Sequence, residues 1–332
     1  MGSGSRHIIV ASGVMLKALA SLRLTLAALA VLVGVSWWLY GQAEAGKDDW
    51  PLVAVLAILS LNLLAAIATN RTFRGQLPLL VFHLSLLSLV LLALASRLTY
   101  LTGTAEVTTG TPFAGLATQR AGTWHSGALN EVEFTNLGFS IRYLPGIKRD
   151  KTLNRIGLRD QGGLPREVEI GDQIPLVLQG YRFYTSGNKG FAGLFRWTPD
   201  EGSPEFGSIN FPGYPLHADK QTSIWRLGSQ EIQVSLNITE QLIDPSQKSE
   251  FRLPQRSRVI LDAGWRVATL EPGQSMKLPG GEVTYLGLTT WMGYSVFYDW
   301  TIPWLLATCV LTVLALSWHF WRKFALRPWQ PA

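Results

Sequence analysis

Four segments of this 332-residue chain, roughly 22–40, 51–68, 78–100 and 302–320, are each about as long as the apolar helix that crosses the hydrocarbon core of a bilayer. The sequence therefore predicts a polytopic α-helical membrane protein with four transmembrane helices. Three of them cluster in residues 1–101, a polar stretch of about two hundred residues follows at 102–300, and 301–332 holds the last span and a tail.

Basic residues set the expected orientation. Arg6, Lys17 and Arg23 flank the start of the first span, Arg71 and Arg74 lie between the second and third, and Arg322, Lys323 and Arg327 follow the fourth, with no acid in any of the three segments. The positive-inside rule puts these on the cytoplasmic face and sends the acidic loop QAEAGKDDW and the polar middle to the other side of a bacterial inner membrane. Both termini are then cytoplasmic. Those eight cations also account for the basic charge balance, leaving 21 Lys and Arg against 23 Asp and Glu, so nucleic acid is not an expected partner. Trp37, Trp38, Tyr40, Trp50, Tyr100, Tyr298, Trp300 and Trp304 read as interfacial anchors. The first span lacks a small-residue cleavage site and reads as a retained anchor, while the opening MGSGS has the composition of an added leader.

The polar middle changes period. Stretches such as EVEFTNLGFSIRYL, SIWRLGSQEIQVSLNI and GEVTYLGLTTW alternate apolar and polar residues, and SGNKG, EPGQ and LPGG supply turns. An extracytoplasmic all-β sandwich or open barrel is the economical fold. Its chemistry is sparse. His125 and His217 have no second ligand at zinc-site spacing and read as solvated loop residues, and no HExxH, GxSxG or P-loop occurs. FPGYPLH, ending at His217, is a proline-stiffened loop suited either to holding a partner with its aromatics or to a structural turn. The single cysteine, Cys309, allows no internal disulfide and no CxxCH haem attachment, and reads as a small packing residue in the fourth span.

Within the third span, PLLVFHLSLLSLVLLALASRLTYL, stands one imidazole, His83. A titratable side chain in hydrocarbon marks a functional site by default. It lies five residues past Pro78, about 7 to 8 Å along the helix from the basic end. Two readings stand: a hydrogen bond to a neighbouring helix, with intramembrane Asn62 as a partner, or axial ligation of haem b in an apolar groove. A proton relay would want further buried acids or histidines. His319, in SWHFWRK at the same end of the fourth span, reads as an interfacial anchor or as a second axial ligand. Arg97, near the far end of the third span, snorkels or meets a haem propionate.

The segments LASLRLTL (19–26), FHLSLLSLVLLALASRLTYLTGTAEVTTGTPF (82–113) and VTYLGLTTWMGYSVFYDW (283–300) resemble the ResB, or CcsB, proteins of System II cytochrome c maturation. Three spans, a large outer β-rich domain and a final span also match that family. The chain departs from it in a shorter outer domain and in Asp299-Trp300-Thr301, where many members have Asp-Pro-Gly. The resemblance implies a subunit of a haem export and cytochrome c synthase complex. It also implies that His83 is an axial ligand of transmembrane haem b, and that a CcsA-like partner completes the site and the haem lyase activity on apocytochrome c. Two other classes remain: a cofactor-free membrane-anchored scaffold or assembly factor, and an electron-transferring b-type membrane cytochrome with a second ligand of its own.

Overall fold

A computed structural model describes residues 16–41, 49–159, 162–227 and 230–325, and all of these but the Arg74 side chain. Arg6, Arg327, MGSGS and residues 42–48 of the acidic loop lie outside the described residues. The chain forms two compact units. One comprises the residues up to Leu101, those from Tyr298 on, and the short segment Arg120–Ser126; the other comprises Thr102–Gln119 and Gly127–Phe297.

The helical unit contains the four expected spans, Leu22–Tyr40, Trp50–Thr69, Leu77–Thr99 and Ile302–Ala325, each long and apolar enough to cross a membrane. The fourth runs five residues past its expected end, because Trp321, Phe324 and Ala325 sustain the helix among the terminal cations. Pro51 and Pro78 sit in the first turns of the second and third spans, where a missing N–H costs nothing. A five-residue helix, Arg71–Gly75, joins those two, with Asn70 as its cap accepting a hydrogen bond from the Thr72 amide.

The second span packs against the first and third, and the third against the fourth. Leu59 and Val55 of the second meet Ala28 of the first, with Leu32, Val35 and Val90 alongside. Asn62, only 2% exposed, donates to the carbonyls of Leu19 and Ser21 and accepts from the Thr25 hydroxyl at 2.7 Å. Its amide fastens the start of the first span to the second, as a polar group in hydrocarbon must find a partner. Cys309 does not pack as expected: it is exposed on the fourth span.

The β unit is built of antiparallel sheets. In a seven-stranded sheet, Gly281–Tyr298 and Tyr181–Pro199 form a long central ladder with a bulge between Met292 and Tyr294. Gly293 makes that bulge possible, since a Cβ there would lie 2.5 Å from the Asn188 carbonyl oxygen. Two four-stranded sheets complete the unit, one containing Thr135–Leu144 and Lys148–Arg159, the other Gln230–Asn237 and Arg258–Asp262. Their inward faces share one core: Ile141, Phe191, Phe195, Val234, Leu261 and Tyr285 are all at most 2% exposed.

One polar network lies inside this unit. Tyr294 donates its hydroxyl proton to Asn154 at 2.7 Å; Asn154 donates to Asn136 at 2.8 Å and to the Gly138 carbonyl at 2.9 Å; Asn136 donates to the Val107 carbonyl. Both asparagines are fully buried, so their amides depend on one another, on Tyr294 and on the backbone of Val107 and Gly138. Asn154→Ala strands the Tyr294 hydroxyl and takes one of two donors from the Asn136 oxygen, which keeps the Gly138 amide, and we expect a loss of about 2 kcal/mol, measured by denaturant unfolding of the full chain in micelles.

Tyr143 gives a second test. Its hydroxyl is buried without a hydrogen-bond partner among the described residues, and burial raises its pKa to about 12. Folding thus favours the neutral phenol: its contribution is intact below the unfolded pKa of about 10 and is lost as pH rises from there to about 12. Tyr143→Phe should be at least as stable as the parent at pH 8, and its margin over the parent should widen at pH 11.

Candidate functional site

His83 sits on the second turn of the third span, and its Nδ1 lies 2.7 Å from the carbonyl oxygen of Leu79, one turn earlier. A carbonyl can only accept, so this contact fixes the proton on Nδ1 and leaves Nε2 as the lone-pair nitrogen. The ring is half-buried. Phe73, from the short helix before the span, stacks on it with centroids 3.8 Å apart and planes 22° from parallel, and Phe82 meets it edge-on at 5.3 Å.

The sequence offered Asn62 as a hydrogen-bond partner for His83. The structure gives Asn62 other partners, and the imidazole turns to its own helix instead. Among the described residues Nε2 has no hydrogen-bond partner. The arrangement suits a ligand nitrogen: one ring nitrogen tied to a carbonyl, the other presented in the ring plane, and the ring face clamped. Phe73 was not foreseen. The signal was there in TFRGQLP, where an aromatic ten residues before the imidazole sits in a turn that must fold back towards the span it precedes.

His319 is brought to the same end of the unit. With Arg322 and Lys323 it lines a cavity of about 500 Å³ whose other walls are Thr72, Gly75, Gln76, Pro78 and Leu79. Leu79 thus belongs both to this cavity and to the hydrogen bond that orients His83. Arg97 is placed apart. Fourteen residues separate it from His83, about 21 Å along a straight helix; its side chain is exposed and its guanidinium lies 5.8 Å from the Tyr100 ring centroid.

A second polar assembly occupies the other end of the third span. Three carbonyls there lack partners within the helix, and the segment Arg120–Ser126 supplies them. The Trp124 amide donates to Leu98 at 2.7 Å, the Gly122 amide to Tyr100 at 2.9 Å, and the His125 Nδ1–H to Thr99 at 2.8 Å. Asp49 accepts from Arg120 and from the Tyr100 hydroxyl. Asp299 accepts from Ser96 and from both the amide and hydroxyl of Thr301, opening the fourth span, while the Trp300 indole donates to Thr99.

His125 is accordingly not the solvated loop residue that the sequence suggested, but part of a helix cap, with its ring edge-on to Tyr298 at 5.2 Å. His217 is exposed, as expected of a loop residue. The FPGYPLH loop around it is a structural turn: Phe211 is buried, its carbonyl accepts from the Trp291 indole, and Tyr214 packs 5.1 Å from Phe191. No group of three or more His, Cys, Asp or Glu that could hold a metal ion occurs among the described residues.

No protein-family model matches the chain, and no characterised protein matches it significantly. Its chemistry has to be argued from these two assemblies. The one at the end of the third span uses its groups on one another and reads as structure, whereas the His83 assembly leaves a nitrogen over.

The cap has little tolerance. A Cβ on Gly122 would run into the backbone of Leu98 and Arg97. Gly122→Ala should therefore release the segment, seen as loss of amide-exchange protection at Trp124 and His125. Gly34→Ala, where nothing lies within 4 Å, should leave protection unchanged.

Proposed function

We propose that this chain is a haem-handling membrane subunit of the ResB, or CcsB, kind, which holds haem b through His83 and works with a CcsA-like partner to present it for attachment to apocytochrome c. The observation that carries this reading is the bond between His83 Nδ1 and the Leu79 carbonyl, which leaves Nε2 as the nitrogen able to donate a lone pair to iron. The residues fit the group. The bond to Leu79 puts the donor on Nδ1, as a ligand bound through Nε2 needs, its neighbours Phe73 and Phe82 are apolar, and the span bearing it is long enough to cross a bilayer.

In this reading the bound porphyrin supplies an electrophilic vinyl-bearing macrocycle for thioether formation. The chain's own residues do the holding. Leu79 fixes the tautomer, Phe73 fixes the ring plane, and the basic ends of the spans, Arg71, Arg322 and Lys323, set the face of the membrane as cytoplasmic under the positive-inside rule. Under that rule the β unit and its client lie on the outer side of a bacterial inner membrane. The opposing ligand comes from the partner; His319, at the same end as His83, is the internal alternative and would make the chain a b-type cytochrome. The likeness of segments 19–26, 82–113 and 283–300 to the family supports the same assignment.

Purified protein, alone or with its partner, should show a Soret band that His83→Gly abolishes and added imidazole restores. Unchanged haem content in that variant would sink the ligand assignment, and colourless parent protein in every preparation would favour a scaffold without cofactor. A low-spin spectrum of the isolated chain that disappears on His319→Ala would instead favour the electron-transfer reading.

A further inference from the structure

The cavity beside His319 is cationic on one wall and unmatched by any acid. His319, Arg322 and Lys323 are spaced i, i+3 and i+4, so one face of the last turns of the fourth span presents all three. The opposite wall comes from the start of the third span and the short helix before it. Gln76 there caps the third span without using its side chain to do so, and no hydrogen bond engages the Thr72 hydroxyl among the described residues. None of the lining residues is Asp or Glu, and neither Arg322 nor Lys323 has a carboxylate partner among the described residues. Lys323 lies 6.0 Å from the ring centroid of Phe324, a contact that supplies no negative charge to pair with its ammonium. Pro78, Leu79 and Gly75 make the remaining surface apolar or small. At about 500 Å³ the space exceeds a dozen waters at about 30 Å³ each.

We propose that this cavity is a binding site for a phosphate ester, and that its occupant is the headgroup of an acidic phospholipid. The arginine fork and the ammonium take the phosphate oxygens, Gln76 and Thr72 donate to it, and the apolar wall meets the start of the acyl chains. Two uncompensated cations at the basic end of two packed spans have the chemistry that recognises anionic headgroups between transmembrane helices. The site does not depend on haem ligation by His83, and it gives Arg322 and Lys323 a task beyond orienting the chain.

The test uses the full chain in micelles, mixed with phosphatidylglycerol or cardiolipin, with phosphatidylcholine, or with inorganic phosphate, and reads bound lipid by native mass spectrometry. Acidic lipid should be retained over phosphatidylcholine. The pair Arg322→Gln with Lys323→Gln should weaken that retention about thirtyfold, for two surface charges at about 1 kcal/mol each. The pair Lys17→Gln with Arg23→Gln removes the same charge from exposed positions outside the cavity and should leave retention unchanged. The exchange Arg322→Lys with Lys323→Arg keeps the charge and should retain the lipid, which guards against a folding artefact. Saturable inorganic phosphate that is lost in the Gln pair, without retained lipid, would assign the same site to free phosphate. Equal retention of acidic and zwitterionic lipid, or full retention in the Gln pair, would overturn the proposal.

Discussion

The last carbonyls of the third span have to be satisfied, because a helix end leaves acceptors that the helix cannot serve itself. The chain serves them with Arg120–Ser126, a stretch remote in sequence whose amides and imidazole donate to Leu98, Thr99 and Tyr100. This contact requires glycine at 122, ties His125 into the helical unit, and brings Arg120 to Asp49 at the start of the second span. Asp299 then joins the end of the third span to the start of the fourth through Ser96 and Thr301. Three spans are thus held at one end by hydrogen bonds that would be weak in water and that matter at an apolar boundary.

The same constraint governs the other polar groups in the spans. Asn62 is matched by two carbonyls and a hydroxyl, and the hydroxyls of Ser60, Ser85 and Thr69 return to carbonyls of their own helix. His83 follows the rule for one of its nitrogens only. Its Nδ1 is matched by Leu79 while Nε2 is presented beside Phe73, so the local geometry turns a residue that is costly in hydrocarbon into a directed donor of electron density. That asymmetry is the observation on which the proposed ligand role rests.

Much of the architecture was legible from hydrophobic period. Apolar runs of about twenty residues can only be spans, and alternating runs bounded by Gly and Pro can only be strands that bury one face. Hence the four helices and the all-β unit fall where they were expected. The errors share a cause. Cys309 and His125 were judged by composition of their neighbourhood, and the FPGYPLH loop was left open between two roles on the same ground, whereas their environment depends on which face of an element is covered and by what. Phe211 is buried and Tyr214 half-buried because the long ladder of Tyr181–Pro199 and Gly281–Tyr298 runs beneath them, a pairing between residues about a hundred positions apart.

For the candidate site, the sequence by itself determined that an imidazole lies inside a span near its basic end, since period, length and charge flank are local properties. What only the tertiary structure decided is which atom of His83 is committed, which ring lies against it, and that His319 closes a cavity with the third span. Those depend on the fold-back of Arg71–Gly75 and on the packing of the third span against the fourth. Such long-range contacts leave little trace in apolar sequence, where many pairings of similar surfaces are compatible with the same composition.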